Sequence, residues 1–182
     1  MKITDLDFRY DSNDEKYIFK DFSMDLPKKN YLLTGDSGSG KTTLLKLIAG
    51  LIVPEKGIIE GAPSRPAVMF QEDRLLPWIN VRKNIELAGG DTAKAEKLLE
   101  RLGIDGDLTI QELSGGMSRR VAFIRAICFD SDALLLDEPF NGMDSSLIDR
   151  CIEIIREEDK FTIISTHQPN VQEKIGFEKI IL

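Results

Sequence analysis

Histidine, tryptophan and cysteine are scarce in this sequence. Its 182 residues include one histidine, one tryptophan and two cysteines. Cys128 and Cys151 lie far apart, form no C-x-x-C pattern, and occur in helical patterns beside isoleucines. We therefore predict that both thiols pack in the hydrophobic core.

Long apolar runs and blocks of positive charge are also missing. The longest apolar stretch, 44–53, is interrupted by Lys46 and Gly50 and stops at Pro54, so it is too short to cross a bilayer. The first ten residues, MKITDLDFRY, carry acids where a signal peptide needs an apolar segment. Acidic residues outnumber basic ones by 31 to 24 and the two are mixed, which argues against nucleic-acid binding through bulk charge. We expect a cytoplasmic protein.

Apolar residues predict strands and helices in alternation. The segments 6–10 and 22–26 alternate polar with apolar residues and predict two half-exposed antiparallel strands, joined by the polar turn DSNDEK. Four short apolar runs predict buried parallel strands: 31–33, 67–70, 133–136 and 161–164. The predicted helices contain residues 44–51, 95–102, 118–128 and 148–155. This order indicates an α/β fold with a mainly parallel sheet.

The length fits a single domain, 1–182, built from three parts. Residues 1–30 form an antiparallel β part, and residues 31–79 and 118–182 form the parallel core. Residues from about 80 to 117 carry helical patterns and no strand pattern, so we expect a small helical insert there.

The segment GDSGSGKTT, residues 35–43, fits the phosphate-loop pattern G-x-x-x-x-G-K-[ST]. It follows the strand 31–33 and opens a helix at Lys41, as the motif requires. Its glycines let backbone N–H groups turn toward phosphates, and the helix N-terminus adds partial positive charge. Lys41 is expected to reach the β- and γ-phosphates, and the Thr42 hydroxyl to bind Mg²⁺. The predicted phosphate-binding residues are Gly35, Ser37, Gly38, Ser39, Gly40, Lys41, Thr42 and Thr43.

Two acids follow the apolar run 133–136. Ligands of open parallel sheets bind at the carboxyl ends of strands. Asp137 is therefore placed to hold Mg²⁺ through its water shell, and Glu138 to polarise an attacking water. The alternative is a solvated strand end, and the phosphate loop in the same chain favours the catalytic interpretation.

A second glycine turn, LSGGM, occupies residues 113–117 and leads into a helix from about Ser118. Ser114 and the free N–H groups of Gly115 and Gly116 form another candidate anion site at a helix N-terminus. The alternative is a helix start that binds no ligand.

In their order along the chain, the phosphate loop, Gln71, LSGGM, LLLDEP and His167 resemble the nucleotide-binding subunit of ATP-binding cassette (ABC) transporters. The resemblance covers nearly the whole chain and implies a P-loop NTPase core. It also implies a homodimer that forms on ATP binding, with the subunits head to tail. Each LSGG turn would then bind the γ-phosphate held by the partner's phosphate loop, which explains why one chain carries two glycine turns.

The resemblance implies roles for further residues. Gln71 matches the glutamine that senses Mg²⁺ and the γ-phosphate, and His167 matches the histidine that orients the attacking water. Asp144, in NGMD, matches a loop that communicates between the two sites, and it is also a good helix N-cap. Tyr10, at the end of the first predicted strand, matches the aromatic residue that stacks on adenine; Tyr17 is a rival, and sheet packing is the alternative. The implied catalytic residues are Lys41, Gln71, Glu138 and His167, and the implied Mg²⁺ ligands are Thr42, Gln71 and Asp137.

The run FQEDRLLPW, residues 70–78, resembles the importer branch that serves nitrate, sulfonate, taurine and thiamine-precursor-like solutes. Leu75, Leu76 and Trp78 on a proline-containing loop indicate a docking patch for a permease, or else they pack into the helical insert. The sequence departs from the family pattern at Met117, where glutamine is usual, and in NGMD. The chain is also short, so we expect no regulatory C-terminal domain.

The implied function is that of the ATPase subunit of a membrane importer. ATP binding would close the homodimer and push on a separate permease, and hydrolysis would reopen it. Such a subunit lies on the inner face of the cell membrane and meets a solute-binding protein only indirectly. Two alternatives remain open: a small-molecule kinase, which would need an acceptor pocket but no LSGGM, and a non-transport cassette ATPase of the cluster-assembly type.

Overall fold

The computed structural model describes residues 1–11, 15–27 and 30–182. The strands, in chain order, are β1 (Lys2–Phe8), β2 (Phe19–Asp25), β3 (Tyr31–Thr34), β4 (Lys56–Glu60), β5 (Pro66–Met69), β6 (Ala133–Asp137), β7 (Phe161–Ser165) and β8 (Glu178–Ile181). The helices are α1 (Lys41–Ile48), α2 (Val81–Leu87), α3 (Thr92–Arg101), α4 (Gly115–Cys128), α5 (Ser145–Glu157) and α6 (Pro169–Ile175). A short 3₁₀ turn at Ile110–Glu112 precedes α4. The centre of the predicted DSNDEK turn, 12–14, lies outside the described residues.

Strands β2, β1 and β4 form an antiparallel sheet in that order. The antiparallel pairing predicted for the first two strands is confirmed, but β1 ends at Phe8 and does not reach Tyr10. The sequence patterns missed β4, because this edge strand is mostly exposed and shows no apolar alternation. Gly57 of β4, at φ 85°, lies where a Cβ would approach the Thr4 carbonyl oxygen to 2.5 Å, so only glycine fits this close strand contact.

The second sheet is wholly parallel, with the strand order β5-β6-β7-β3-β8. All four predicted parallel strands are present in it, which confirms the α/β fold class. The edge strand β8 was missed: its residues are mostly exposed, and within the strand only Ile180 and Ile181 are apolar.

Successive residues of β6 face opposite sides of this sheet and enter two different cores. Leu135 packs with Leu44 of α1 and with the antiparallel sheet. Leu134 and Leu136 pack in the larger core, which contains the buried faces of α3, α4 and α5. Both cysteines are free and lie in this larger core, as predicted.

Helices α2 and α3 pack against α4, and α4 also contacts β5. Helix α4 begins at Gly115, three residues before the predicted start. The difference arises because Ser114 caps the helix: its Oγ accepts a hydrogen bond from the Met117 N–H at 3.3 Å, so both glycines belong to the first turn. Within the described part of the chain, every helix is too short or too polar to cross a bilayer.

Candidate active site

The phosphate loop joins the end of β3 to the start of α1. Gly40 is the N-cap of α1 and has φ 100°, a left-handed conformation that side chains rarely adopt. A Cβ on Gly40 would lie 2.8 Å from Cζ of Phe19, so β2 packs directly on this turn. The loop is thereby fixed between both sheets, with the N-terminus of α1 at its end.

Beside this loop lies a cleft of about 510 Å³. It brings together residues from distant parts of the sequence; its lining residues are Ile18, Gly35, Ser37, Gly38, Gly40, Lys41, Thr42, Thr43, Gln71, Asp137, Glu138, Asn141 and His167. All but Ile18 and Asn141 were predicted site residues. Ser39 adjoins the cleft, because its hydroxyl lies 3.4 Å from the Lys41 ammonium.

The Lys41 ammonium is folded onto the phosphate loop. Its Nζ donates hydrogen bonds to the carbonyl oxygens of Gly35 at 2.9 Å and of Asp36 at 2.8 Å. These neutral acceptors bind an ammonium more weakly than a phosphate oxygen would. An anion in the cleft could therefore recruit this cation.

Thr42 and Asp137 meet at the floor of the cleft. The Thr42 hydroxyl donates a hydrogen bond of 2.6 Å to Asp137 Oδ2, and the Ser165 hydroxyl donates one to Oδ1. Hydroxyl and carboxylate oxygens are the ligands that Mg²⁺ prefers, usually completed by substrate phosphates and water. Such a site needs few protein ligands, and the described residues contain no cluster of three or more carboxylate, histidine or cysteine side chains able to hold a metal. The oxygen pair therefore fits Mg²⁺ bound together with a phosphorylated ligand.

Glu138 adopts an unusual backbone conformation, with φ 48°. Its N–H donates to the Ser165 carbonyl oxygen at 3.1 Å, and its Oε1 lies 2.9 Å from Nδ1 of His167. Its Oε2 is buried and has no hydrogen-bond partner among the described residues. A buried carboxylate oxygen without a donor is costly. The arrangement leaves this oxygen as an acceptor for a proton or a water in the cleft.

The structure separates the two candidate tyrosines. The Tyr10 hydroxyl lies 3.2 Å from the Thr43 hydroxyl, and the residue is 58% exposed; its ring meets that of Phe8 in β1 edge-on, with the centroids 5.1 Å apart. The Tyr17 ring is instead covered by two cations, with Arg9 at 4.7 Å and Lys20 at 4.3 Å from its centroid. Tyr10 thus lies next to the phosphate loop and is largely exposed, with the Lys46 ammonium 5.8 Å from its ring centroid.

The remaining predicted residues do not line the cleft. Ser114 caps α4, and Asp144 caps α5 by accepting hydrogen bonds from two main-chain amides. The Leu147 amide and then the Ser146 hydroxyl lower the pKa of Asp144 through these bonds. A Cβ on Gly116 would lie 2.9 Å from the Gly142 carbonyl oxygen. The LSGGM and NGMD turns therefore adjoin each other; LSGGM lies outside the cleft, whereas Asn141 of NGMD lines it.

A family model described as ABC transporter matches residues 19–141. This chain belongs to the ABC transporter family. It is 41% identical over 144 residues to the aliphatic sulfonates import ATP-binding protein SsuB 3 of Paraburkholderia xenovorans, covering 76% of this chain and 56% of that protein. It is 38% identical over 159 residues to the taurine import ATP-binding protein TauB of Pseudomonas putida, covering 78% of this chain and 61% of that protein. The resemblance to the sulfonate and taurine branch is confirmed.

The chain spans less than two thirds of the length of these relatives. Among solved structures, it resembles the dimeric ATP-binding cassette MJ0796 bound to ADP and Pi, with a TM-score of 0.86 and 24% identity. That alignment covers 100% of this chain and 93% of the other, and it confirms the P-loop NTPase fold of an ABC cassette.

The loop predicted to dock a permease is ordered in this ABC chain by a buried amide. Asn84 accepts a hydrogen bond from the Leu76 N–H at 2.7 Å and donates to the Leu76 carbonyl oxygen at 3.2 Å. Trp78 remains 74% exposed and Leu76 37% exposed, whereas Leu75 packs against the larger core. Of the two alternatives for this loop, packing into the protein therefore applies to Leu75, whereas Leu76 and Trp78 remain on the surface.

Four residues of the site region were not found from the sequence: Ile18, Asn141, Ser165 and Arg119. Asn141 belongs to NGMD and Ser165 precedes His167 by two residues, so both had a motif beside them. Ile18 and Arg119 carried no signal in the sequence, because their partners lie far away along the chain.

Proposed function

We propose that this chain binds and hydrolyses ATP as the nucleotide-binding subunit of an ABC importer. In this proposal residues 1–182 act as one ATPase domain, with the helical segment from about 80 to 117 presenting the LSGGM turn. The observation that carries the proposal is the buried, unpartnered Glu138 Oε2, in the same cleft as the phosphate loop and the Thr42–Asp137 pair.

Binding of the triphosphate falls to the phosphate loop. The N–H groups of residues 35–43 and the N-terminus of α1 are suited to accept phosphate oxygens. Lys41 exchanges its two carbonyl partners for the β- and γ-phosphates, a charge-assisted interaction. Tyr10, beside Thr43, stacks on the adenine.

Thr42, Asp137 and Gln71 are the residues that would hold Mg²⁺. The metal, when bound, neutralises charge that develops on the phosphate oxygens. Ser165 fixes the Asp137 carboxylate from the protein side, so Asp137 keeps one orientation as its Thr42 partner changes.

Hydrolysis needs a group that orients a water and takes its proton. Glu138 Oε2 is the free acceptor for that water, and His167 holds the other oxygen of the same carboxylate. The water oxygen bonds to the γ-phosphorus, the bond from that phosphorus to the bridging oxygen breaks, and the water proton passes to Glu138. ADP and inorganic phosphate are the products.

The LSGGM turn is proposed to serve a second subunit. Ser114, Gly115 and Gly116 lie away from the cleft of their own chain, at the N-terminus of α4. In a head-to-tail homodimer they would face the partner's γ-phosphate, with Asp144 on the adjoining loop. ATP would then be held between two chains, and its binding would close the dimer.

The names of the relatives support import of a sulfonate-type or taurine-type solute. We propose that exposed Leu76 and Trp78 dock on a separate permease, which holds the chain on the inner face of the membrane. The permease would receive solute from a solute-binding protein that this chain does not touch.

The test is phosphate release from Mg-ATP by the purified chain and by a Glu138→Gln variant. The wild type should release phosphate, and Glu138→Gln should bind ATP equally well but hydrolyse it on the order of 10²–10⁴-fold more slowly. Hydrolysis at the wild-type rate by the variant would remove Glu138 from the mechanism. A wild type that neither binds nor hydrolyses ATP would refute the function.

A further inference from the structure

Arg119 is a buried cation in the second turn of α4, only 4% exposed. Its guanidinium bridges the segment after β5 and the end of β6. Nη1 donates to the carbonyl oxygens of Phe70 at 2.8 Å and Gln71 at 3.0 Å and to Asp73 Oδ1 at 2.8 Å; Nη2 donates to the carbonyl oxygens of Asp137 at 2.6 Å and Glu138 at 2.7 Å.

Burying a guanidinium in a core is energetically unfavourable, because its desolvation opposes folding. The carboxylate paired with Arg119 is that of Asp73, whose side chain is 27% exposed. A planar fork of donors can hold several acceptors at fixed angles, which an apolar side chain or a lysine cannot do. The five hydrogen bonds of Arg119 use this property to join two chain segments.

One of those segments contains a strained residue. Glu138 has φ 48°, outside the usual range for a residue with a side chain. Such a conformation persists only where the surroundings enforce it. Ser165 binds the Glu138 N–H on one side, and Arg119 binds the Glu138 carbonyl on the other. The direction of the carboxylate therefore depends on both contacts.

We propose that Arg119 is a positioning residue that ties the loop carrying Gln71 and Trp78 to the carboxylate of Glu138. The proposal rests on the proposed function and names a link within its active site. One guanidinium nitrogen holds the Phe70 and Gln71 carbonyls, and the other holds the peptide at Glu138. A shift of the loop, such as docking at Trp78 would cause, is thus transmitted to the catalytic carboxylate through a single rigid group.

The experiment compares Arg119→Lys with Arg125→Gln. Arg125 lies on the same helix and binds the same loop, donating to the carbonyl oxygens of Asp73 and Arg74 at 2.7 Å each. Its bonds do not reach the end of β6, so it is a matched control. Arg119→Lys keeps the charge, but a single ammonium cannot span both segments.

For Arg119→Lys, kcat for Mg-ATP should fall by about 10²-fold, because a displacement of about 1 Å at a catalytic group has that effect. Its affinity for ATP measured without Mg²⁺ should not change, since Arg119 contacts the segments of the proposed Mg²⁺ ligands Gln71 and Asp137 but not the phosphate loop. Arg125→Gln should keep the wild-type kcat. Asp73→Asn changes the partly exposed carboxylate that pairs with the Arg119 guanidinium, so this second variant has little risk of unfolding. It should give a kcat between those of the wild type and Arg119→Lys.

Amide hydrogen exchange gives a readout that needs no hydrolysis. Exchange at 137–141 should be faster in Arg119→Lys than in the wild type and unchanged in Arg125→Gln. A wild type without ATPase activity would refute the proposed function, while exchange would still test the link. Folded Arg119→Lys and Asp73→Asn proteins with the wild-type kcat and wild-type exchange would overturn the proposal.

Discussion

The role proposed for LSGGM can be tested by placing a negative charge on Ser114 without removing the helix cap. Ser114 Oγ accepts the Met117 N–H, so Ser114→Ala or Ser114→Arg would also cost about 1 kcal/mol in lost capping. Aspartate and asparagine cap helices as well as serine does. Ser114→Asp and Ser114→Asn therefore keep the start of α4 and differ from each other by one charge.

If Ser114 faces the partner's γ-phosphate, the added charge repels it. At about 4 Å and an effective dielectric constant of about 20, two unit charges interact by about 4 kcal/mol, which is on the order of 10³-fold in affinity. The closed dimer contains this contact twice. Ser114→Asp should therefore abolish ATP-driven dimerisation, and Ser114→Asn should leave it close to that of the parent.

The assay is sedimentation or size-exclusion chromatography in Mg-ATP, with Glu138→Gln in every chain so that ATP persists. ATP binding to single subunits should be equal in both variants, because Ser114 lies outside the cleft. If Ser114→Asp dimerises on ATP as strongly as Ser114→Asn, the turn does not contact the partner's nucleotide. A mixing test, with wild-type Glu138, combines Lys41→Ala chains with Ser114→Asp chains, each of which should be inactive alone. A mixed dimer has one complete site, so mixing should restore hydrolysis, to at most about half of the wild-type activity per dimer if the sites are independent.

Three further predictions concern stability, thiol chemistry and docking. Burial raises the pKa of Cys128 and Cys151 to about 12 each, so a thiol reagent at a pH of about 8 should label neither until denaturant is added; labelling of the native protein would contradict this. A main-chain amide and a lysine of β2 lower the pKa of buried Asp7, so its contribution to stability exists above a pH of about 4 and is lost below it. The Tm deficit of Asp7→Asn should accordingly shrink as the pH falls from about 6 to about 3, and a constant deficit would argue against it. Trp78→Ser should weaken permease binding with ATPase activity unchanged, whereas the control Val53→Ser, at an equally exposed position, should change neither; equal permease affinity of both variants would count against docking at Trp78.

Much of the cleft could be predicted because its motifs are local. The phosphate-loop motif determines the conformation of the loop and the start of the following helix through short-range geometry. The parallel strands bring Asp137 and Gln71 together at their carboxyl ends. The prediction of secondary structure failed for strands that carry no such local motif or pattern. The edge strands β4 and β8 expose most of their residues, so neither carries the apolar pattern by which a buried strand is recognised.

Contacts between distant residues account for what the sequence did not reveal. Ser165 holds Asp137 from 28 positions away, and Arg119 reaches Phe70 across 49 positions. A serine at a strand end and an arginine in a helix have no distinguishing local pattern. Their function depends on three-dimensional packing, which becomes visible only when the strands and α4 are assembled.

The segment NGMD, residues 141–144, connects the two surfaces that the sequence motifs define separately. Asn141 lines the phosphate cleft and accepts a hydrogen bond from Gln168 at 3.3 Å. One residue later, the Gly142 carbonyl packs against Gly116 so closely that a side chain at position 116 would collide with it. Asp144 then begins α5. A nucleotide in the chain's own cleft and a nucleotide at its LSGGM turn would therefore both contact the neighbours of one short loop. Since contacts on both surfaces hold this loop, occupancy of one surface should alter the geometry of the other, as cooperative hydrolysis in the proposed dimer would require.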